Sequence, residues 1–480
     1  MKTLNTFTFK KKCFACAVIL IILLILVVVA QSQTWERVYE EELGISGARS
    51  VCQTKDNGFA ITGLTWKQGG DGDLFIAKIS HEGEMLWYKI YAKASQTSGQ
   101  VIKETAKGDL IILARDFNGP NNPYFWLLKT NASGDTLWTK NFGDKVLAYC
   151  LDICPDSGYI FAGEQNRQSG GYNGYLVKTD KNGNLIWQKT LDRGTLNGAV
   201  RSIKAVEDGY IMLTSDWQLI KFNENGEIIW QKDYKTTYWG YGMCIGLTND
   251  EGYILCGTKL SPESATPKSA IQVIKTDEKG NSIWVKCYTD SLRIYGSFIW
   301  QIDNGYLLVG ERYDSSYTSC KTLIFQLNET GEIVWQKTFL GPYNNCTPCG
   351  AVPTADGGAI IVGFAQPGNG GRTYALKVDK NGNVGIKENK TAMNDFWLAQ
   401  NYPNPFNIST TIQFSLPKDS YVELFVSNLL GQKVAMLVKE KKKAGNYTFI
   451  WQAENMASGT YLCALKTNDK IFVKKMILVK

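Results

Sequence analysis

Histidine is nearly absent from this chain of 480 residues, because it occurs once, at His81. A lone histidine cannot build a two-histidine metal site, and it leaves no credible histidine-assisted nucleophile. His81 stands in a turn where the equivalent repeats carry Lys, Ala or Glu, which is typical of exposed turn filler. The sequence therefore predicts no metal site, no cofactor and no catalytic residue.

Long apolar runs are also scarce. The run at residues 14–29 follows a basic head of Lys2 and Lys10 to Lys12, and it ends in small residues up to Ala30. This pattern predicts a cleaved signal peptide over residues 1–30. The alternative is an uncleaved membrane anchor, since the run is near the lower limit for crossing a bilayer.

The main part of the chain lacks an excess of either charge. The formal net charge is +7, but residues 31–386 carry 35 basic and 38 acidic residues. A slightly acidic module has no electrostatic basis for binding nucleic acid, so none is expected as a partner.

Cysteine, in contrast, is present in quantity, with ten residues after the leader. An exported chain enters a compartment where cysteines oxidise, but their pairing cannot be deduced from sequence. Cys346 and Cys349 have C-x-x-C spacing in what we predict to be a loop. Without a βαβ setting, this spacing predicts a local disulfide or two free thiols rather than a catalytic couple.

Two short motifs recur along the chain. "KTDKNGNLIW" at residues 178–187 has near-copies beginning at residues 78, 129, 221, 275 and 326, and a seventh copy at 377–386 lacks the Trp. "DSGYIFAG", which ends at Gly163, also occurs in seven versions. Each unit of about 50 residues holds four β-like runs bounded by turn residues, which is typical of a propeller blade.

The missing Trp strand is found at the N-terminus. "WERVY" at residues 35–39 matches the outer-strand segments of the other units and has no unit of its own. We expect it to complete the last sheet and close the ring, which protects the sheet edges. The sequence thus predicts an all-β fold with a seven-bladed β-propeller over residues 31–386.

The repeated D-x-N-G segment resembles the start of a calcium loop. EF-hand loops need Gly at the sixth position and Glu at the twelfth, and neither is present. Four copies replace the Asp with Ser80, Asn131, Asn223 or Asn328. An Asx or Ser side chain followed by a Gly with positive φ is what a hairpin turn requires, so we interpret the segment as a turn.

Half of the 14 Trp residues occupy one repeat position. We expect each to pack on the neighbouring blade. The pattern resembles the tryptophan-docking repeat of quinoprotein-type bacterial propellers and also the Asp-box of sialidases, although the Asp-to-Gly spacing differs from both. Neither resemblance implies a catalytic residue at any position here.

The connections that vary in length and composition all fall on one face of the predicted disc. Loops on a rigid scaffold are where binding usually resides, and aromatic residues with a polar tip suit a glycan or protein ligand. The alternative for each aromatic is that it packs a loop against the disc. The candidate ligand-binding residues are Trp66, Tyr172, Tyr238, Trp239, Tyr241, Arg293, Tyr295 and Tyr343.

An enzyme is the competing interpretation. Glu164 and Glu311 occupy equivalent positions, and a carboxylate pair about 5 to 9 Å apart could hydrolyse glycosides. They belong to the third and sixth units, nearly opposite each other across the predicted ring, which disfavours a pair. A quinoprotein-like redox propeller is the other enzymatic alternative.

After a polar linker at residues 387–396 the composition changes. Alternating apolar positions and Gly or Pro turns over residues 397–480 predict a small Ig-like β-sandwich. The segments "NYPNPFN", "LLGQKV", "AGNYTFIW", "SGTYLCAL" and "KKMILVK" closely resemble the C-terminal sorting domain of type IX secretion (Por system) cargo of Bacteroidetes-like bacteria. The matching positions include Pro403, Asn404, Pro405, Gly431, Trp451, Gly459, Tyr461 and Lys475.

This resemblance implies an exported protein. It implies Sec export, passage through the type IX machinery as a partner, and release or attachment at the outer-membrane surface. We expect a monomer whose propeller is the working module and whose C-terminal domain is the secretion signal.

Overall fold

The structure is a computed structural model of the whole chain. It describes residues 34–44, 46–66, 72–93, 95–117, 123–166, 172–192, 199–234, 240–261, 268–316, 318–341, 345–366, 371–384, 397–398, 401, 404, 406–454, 456–467 and 470–479. The chain divides into two compact units, Met1–Gly385 and Ile386–Lys480.

The first unit is built from short strands. Its one described helix, α1 (Glu40–Leu43), is a single turn, and no helix in the described residues is long and apolar enough to cross a membrane. The strands are β1 (Trp35–Val38), β2 (Ser46–Gln53), β3 (Phe59–Trp66), β4 (Gly72–Ile79), β5 (Met85–Tyr91), β6 (Gln96–Glu104), β7 (Leu110–Phe117), β8 (Pro123–Thr130), β9 (Thr136–Phe142), β10 (Val146–Ile153), β11 (Tyr159–Asn166), β12 (Tyr172–Thr179), β13 (Leu185–Leu191), β14 (Val200–Val206), β15 (Gly209–Thr214), β16 (Gln218–Phe222), β17 (Ile228–Asp233), β18 (Gly240–Leu247), β19 (Tyr253–Ser261), β20 (Lys268–Thr276), β21 (Ser282–Thr289), β22 (Ile294–Ile302), β23 (Gly305–Tyr313), β24 (Cys320–Leu327), β25 (Ile333–Phe339), β26 (Cys346–Pro353), β27 (Ala359–Ala365) and β28 (Arg372–Val378).

These strands form antiparallel four-stranded sheets. Six sheets take four consecutive strands each: sheet 1 (β2–β5), sheet 2 (β6–β9), sheet 3 (β10–β13), sheet 4 (β14–β17), sheet 5 (β18–β21) and sheet 6 (β22–β25). Sheet 7 combines β26–β28 with β1, whose Trp35 is opposite Lys377 and whose Val38 is opposite Tyr374. The predicted pairing of the N-terminal strand with the last sheet is confirmed.

The repeated D-x-N-G segment is a hairpin turn. The Asp180 carboxylate accepts hydrogen bonds from the backbone N–H groups of Asn182 and Asn184, both at 2.8 Å. Gly183 has a φ of 76°, and its N–H donates to the Asp180 carbonyl. The turn is closed by a residue in the left-handed region, a conformation that favours glycine.

The repeated Trp packs on the turn of the next sheet. A Cβ added to Gly83 would lie 2.7 Å from the Trp35 indole, which shows how closely the ring covers the glycine. The Trp35 indole nitrogen donates to the His81 carbonyl at 2.7 Å. The same contact joins the other sheets in order, through Trp87 and Gly134, Trp138 and Gly183, Trp187 and Gly226, Trp230 and Gly280, Trp284 and Gly331, and Trp335 and Gly382.

The apolar core lies between neighbouring sheets. Phe59 and Phe75 of sheet 1 cluster with Trp35, Ile360 and Val362 of sheet 7, all at most 2% exposed. Similar clusters join each of the other sheets to its neighbour. Burial between sheets is therefore what holds this unit together.

Inside most sheets a buried lysine reaches a turn aspartate. Lys178 is 4% exposed, and its ammonium lies 2.7 Å from the Asp156 carboxylate. Burial of the Asp156 carboxyl opposes ionisation, but hydrogen bonds from Lys178 and the Gly158 N–H hold its pKa below the usual value. The equivalent pairs are Lys78 with Asp56, Lys129 with Asp109, Lys221 with Asp208, Lys275 with Asp250, and Lys377 with Asp356.

The second unit contains two sheets around one core. Its strands are β29 (Trp397–Leu398), β30 (Ser409–Leu416), β31 (Ser420–Asn428), β32 (Lys433–Lys442), β33 (Gly445–Gln452), β34 (Gly459–Lys466) and β35 (Ile471–Leu478). One sheet has the order β29-β30-β33 and the other β32-β31-β34-β35. Side chains from both sheets share a single apolar cluster that includes Phe414, Leu424, Trp451 and Met476.

Replacement of Trp35 by Ala should destabilise the first unit strongly. We expect Trp35→Ala to lower the free energy of unfolding by about 3–5 kcal/mol, because the buried ring and its contact with the first sheet are lost together. Urea unfolding followed by circular dichroism measures the change. Trp66, which is 40% exposed, provides the control: Trp66→Ala should cost much less, and equal losses would contradict this role of Trp35.

Candidate functional site

The first strands of the seven sheets form a closed inner ring. Each contacts the first strand of both neighbouring sheets, and β26 contacts β2 to complete the ring. Each of these strands contains one residue that has no cross-strand partner on the second strand, which makes a β-bulge. Bulges commonly redirect a side chain. These residues, which we call the bulge ring, are Arg49, Gln100, Tyr149, Arg201, Met243, Ser297 and Cys349.

A small residue precedes the bulge in most strands because the neighbouring sheet lies close. A Cβ on Gly242 would lie 2.7 Å from the Thr214 carbonyl oxygen, and one on Gly296 would lie 2.8 Å from that of Gly257. Glycine is therefore required here for backbone approach.

Part of the bulge ring lines a cavity of about 530 Å³ in sheets 4, 5 and 6. The lining residues lie at the start of first strands and toward the end of second strands. The two connections of each sheet that vary in length, from its second to its third strand and from its last strand to the next sheet, are at this end, so the cavity is on the variable face. It is lined by Arg201, Tyr241, Met243, Thr258, Tyr295, Gly296, Ser297, Glu311 and Tyr313.

Glu311 is the acidic group of this cavity. The Tyr313 hydroxyl donates to its carboxylate at 2.9 Å, and the rings of Tyr313 and Tyr295 meet edge to face with centroids 5.5 Å apart. Burial raises the pKa of the Glu311 carboxyl, while hydrogen bonds from Tyr313 and Ser297 oppose that rise. Glu311 thus provides a desolvated carboxyl among hydroxyl groups.

Beside the cavity, Tyr149 is surrounded by charge. The guanidinium carbons of Arg115 and Arg201 each lie 4.8 Å from the centre of its ring, within cation–π range. Its hydroxyl donates to the Glu164 carboxylate at 3.0 Å. Burial and the Glu164 charge raise the pKa of Tyr149.

The structure brings together two of the predicted binding residues, Tyr241 and Tyr295, in the cavity. Trp66 ends β3 and Arg293 precedes β22, so both are at the same end of the sheets but not in the cavity lining. Tyr172 begins β12, and its side chain is outside the description. Tyr238, Trp239 and Tyr343 lie outside the described residues.

Sequence reasoning missed Arg201, Met243, Ser297 and Tyr313. The first three occupy the bulge position. A glycine precedes Met243 and Ser297, and this small residue at a fixed place in the repeat was the available signal for them, whereas Val200 precedes Arg201. Tyr313 follows Glu311 by two residues and ends β23.

Glu164 and Glu311 do occupy equivalent positions on their second strands, opposite Leu147 and Tyr295 respectively. Each accepts a tyrosine hydroxyl. Among the described residues that line the cavity, Glu311 has no second carboxylate beside it. Most glycoside hydrolases use two carboxyl groups about 5 to 9 Å apart.

Among the described residues, no disulfide joins two cysteines. Cys346 and Cys349 both belong to β26, so the prediction that they lie in a loop is wrong. Burial raises the pKa of the Cys349 thiol to about 12, which opposes formation of a reactive thiolate. Within the described part of the chain, no group of three or more His, Cys, Asp or Glu residues could hold a metal ion.

Comparison with known families gives two matches. Residues 127–240 match the family described as outer membrane protein assembly factor BamB, and residues 400–480 match the family described as secretion system C-terminal sorting domain. Residues 400–480 are a type IX sorting domain. The chain is therefore an exported β-propeller protein, located at the cell surface or secreted. No curated protein matches it.

Several solved structures are similar at low identity. BamB from Moraxella catarrhalis is 12% identical over 72% of this chain and 99% of its own, with a TM-score of 0.39. The propeller domain of the Trilobed protease from Pyrococcus furiosus is 9% identical over 70% and 95%, with a TM-score of 0.43. PorZ of Porphyromonas gingivalis, a surface component of the type IX secretion system, is 12% identical over 90% of this chain and 51% of its own, with a TM-score of 0.31.

Several signature residues of the sorting domain are structural. The Asn404 side chain accepts from the Ile477 N–H at 2.7 Å and donates to the Lys475 carbonyl at 3.1 Å, which ties the start of the domain to its last strand. Trp451 packs against Tyr461 in the core, with ring centroids 5.9 Å apart. Gly431 has a φ of 80° in the turn before β32, and Gly459 begins β34. Pro403 and Pro405 lie outside the described residues.

Glu311 should make stability depend on pH. Because its pKa is raised in the folded state, the unfolded chain releases this proton at a lower pH, and stability falls as pH rises from about 4.5 through the folded pKa. Glu311→Gln removes that loss. The melting temperature of the variant relative to the wild type should therefore increase across this window in a thermal melt series.

The matched control is Glu329→Gln, in an exposed turn. For this control we expect a melting-temperature difference from the wild type that stays constant with pH. The same constancy for Glu311→Gln would contradict the raised pKa of Glu311.

Proposed function

We propose that this protein is a cell-surface or secreted seven-bladed β-propeller that binds a glycan or protein ligand through the cavity on its variable face. The seven sheets would be its blades, and the second unit would be an Ig-like sandwich. In this proposal residues 1–30 are a cleaved signal peptide, 31–386 the propeller, 387–396 a linker and 397–480 the sorting domain.

The proposal depends on the position of the cavity at the end of the sheets that carries the variable connections. Its walls come from the bulge ring and from strand ends beside the long connections, whereas the opposite end carries the nearly identical short turns. Tyr241, Tyr295 and Tyr313 offer aromatic faces with polar tips around Glu311, a composition that suits a polar ligand with apolar patches. Trp66 and Arg293, at the same end, could extend contact beyond the cavity, as could the candidates in the undescribed connections.

Binding should depend on the cavity tyrosines. We expect Tyr295→Ala to weaken binding of the mature protein to glycans on an array, or to a surface extract, by about tenfold or more, since central aromatic anchors dominate such sites. Tyr88→Ala, at an exposed position of β5, is the control and should bind like the wild type. Absence of any binding, or equal binding by both variants, would reject the cavity as the site.

Cleavage of a bound glycan would favour the alternative of a glycan-active hydrolase using Glu311, and electron transfer would favour a redox propeller.

Export should require the sorting domain. In a host with type IX secretion, a chain ending at residue 396 should remain in the periplasm, because the machinery would have no signal to recognise. Cell fractionation and immunoblotting measure this. The full-length chain carrying Tyr88→Ala is the control, and surface display of the truncated chain would contradict the proposal.

A further inference from the structure

Three arginines converge beside the cavity although they come from different sheets. Arg49 belongs to sheet 1, Arg115 to sheet 2 and Arg201 to sheet 4. Arg115 and Arg201 share the ring of Tyr149, which belongs to sheet 3. The charges of Arg49 and Arg201 both lower the pKa of Arg115, so each of these two groups lies within electrostatic reach of Arg115. We call these three residues the arginine cluster.

The cluster has few partners of opposite charge. Arg115 uses its Nε and one terminal nitrogen on the Ala148 carbonyl, at 3.1 and 3.0 Å. Among the described residues, neither Arg49 nor Arg201 forms an ion pair with a carboxylate. The Nε of Arg201 is buried and has no hydrogen-bond partner in the described structure. A buried donor without a partner is unfavourable unless a ligand supplies the acceptor.

Like charges held together also oppose folding. The propeller region carries slightly more acidic than basic residues, so a cationic cluster does not follow from its overall composition. Burial and the neighbouring arginines both disfavour the charged state of Arg115. Groups whose convergence opposes folding are typical of functional sites.

The surroundings select the kind of anion. Arg201 lines the cavity together with Glu311, and Glu164 lies beside Tyr149. A guanidinium fork can pair with either a phosphate or a carboxylate. The neighbouring carboxyl groups repel a doubly charged phosphate more strongly than a singly charged carboxylate, which favours the carboxylate. The hydroxyls of Ser297, Thr258 and the tyrosines can exchange hydrogen bonds with several sugar hydroxyls, which an extended peptide does not offer.

We propose that the cavity binds a carboxylate-bearing sugar, such as a uronic acid residue of an acidic glycan, with its carboxylate on Arg201, the member of the arginine cluster that lines the cavity, and its hydroxyls toward Glu311. The inference rests on the proposed function, which places ligand binding in this cavity, and it specifies the class of ligand.

The test is a glycan array of matched pairs, in which each uronic-acid oligosaccharide is accompanied by its carboxyl-reduced neutral form, together with an acidic peptide of glutamates. We expect the wild type to bind carboxylated members and to lose roughly tenfold or more in affinity when the carboxyl is reduced. Arg201→Gln should lose a similar factor toward the carboxylated member only. Arg201→Lys keeps the charge but should not restore full affinity, because an ammonium lacks the bidentate fork.

Two controls separate binding from folding. Lys140→Gln removes one positive charge at an exposed position of β9 and should leave affinity unchanged. Arg201→Gln should melt close to the wild type, since the loss of a charge that repels Arg115 offsets the loss of the contact with the Tyr149 ring. A variant that melts much lower would mean that Arg201 has a structural role, which would contradict the inference.

The remaining outcomes distinguish this inference from the proposed function. Binding of neutral glycans that is sensitive to Tyr295→Ala but not to Arg201→Gln would overturn the inference and leave the function intact. Binding of the acidic peptide alone would overturn the glycan assignment. Absence of binding to every probe would overturn both.

Discussion

The contact between each repeated tryptophan and the turn glycine of the next sheet is the constraint on which the first unit depends. A four-stranded sheet has two faces to cover, and here each face is buried against a neighbouring sheet. The indole fits only because the turn glycine has no side chain, and that glycine also provides the positive φ of the turn. One residue therefore satisfies a local requirement of the hairpin and a tertiary requirement of the ring. Trp35 makes the same contact from the opposite end of the chain, so the last sheet is joined to the first.

This repeated outer scaffold leaves the inner strands free to differ. The seven bulge positions carry six residue types, with charges, hydroxyls, a thioether and a thiol among them. A bulge leaves its residue outside the ladder, so the side chain can change without loss of a cross-strand partner. Packing between sheets is maintained by the apolar residues on either side. The fold can thus vary the chemistry of the cavity while the Trp and Gly contacts remain the same.

The sequence predicted much of the fold because its strongest signals are local and periodic. The turn at Gly183 follows from the spacing of Asx and Gly, and the place of Trp35 follows from a gap in a repeat. The Lys178 and Asp156 pair was not predicted, since it joins two motifs about 20 residues apart through side-chain geometry that periodicity does not reveal. For the cavity, the sequence predicted only the face of the disc on which binding would occur. Tyr241 and Tyr295 were named as residues of variable connections, although the structure places both near the start of first strands. Arg201 and Ser297 lie at bulges of such strands, where the direction of the side chain changes and simple alternation assigns it wrongly.

The distribution of unfavourable interactions points to the same part of the molecule. The buried lysines of the outer scaffold are paired, and the hydrogen bonds that they donate hold the pKa of the turn carboxyls below the usual value. On the variable face the opposite holds: Glu311 has a raised pKa, Arg115 a lowered one, and Arg201 a buried donor without a partner. Such groups stay in place only where many contacts with the surrounding structure fix their positions. The inner strands meet this condition, because each contacts first strands on both sides and its own second strand. A ligand that pairs with the arginines and forms hydrogen bonds with Glu311 would relieve these unfavourable interactions. Much of its binding energy would then come from groups that destabilise the free protein.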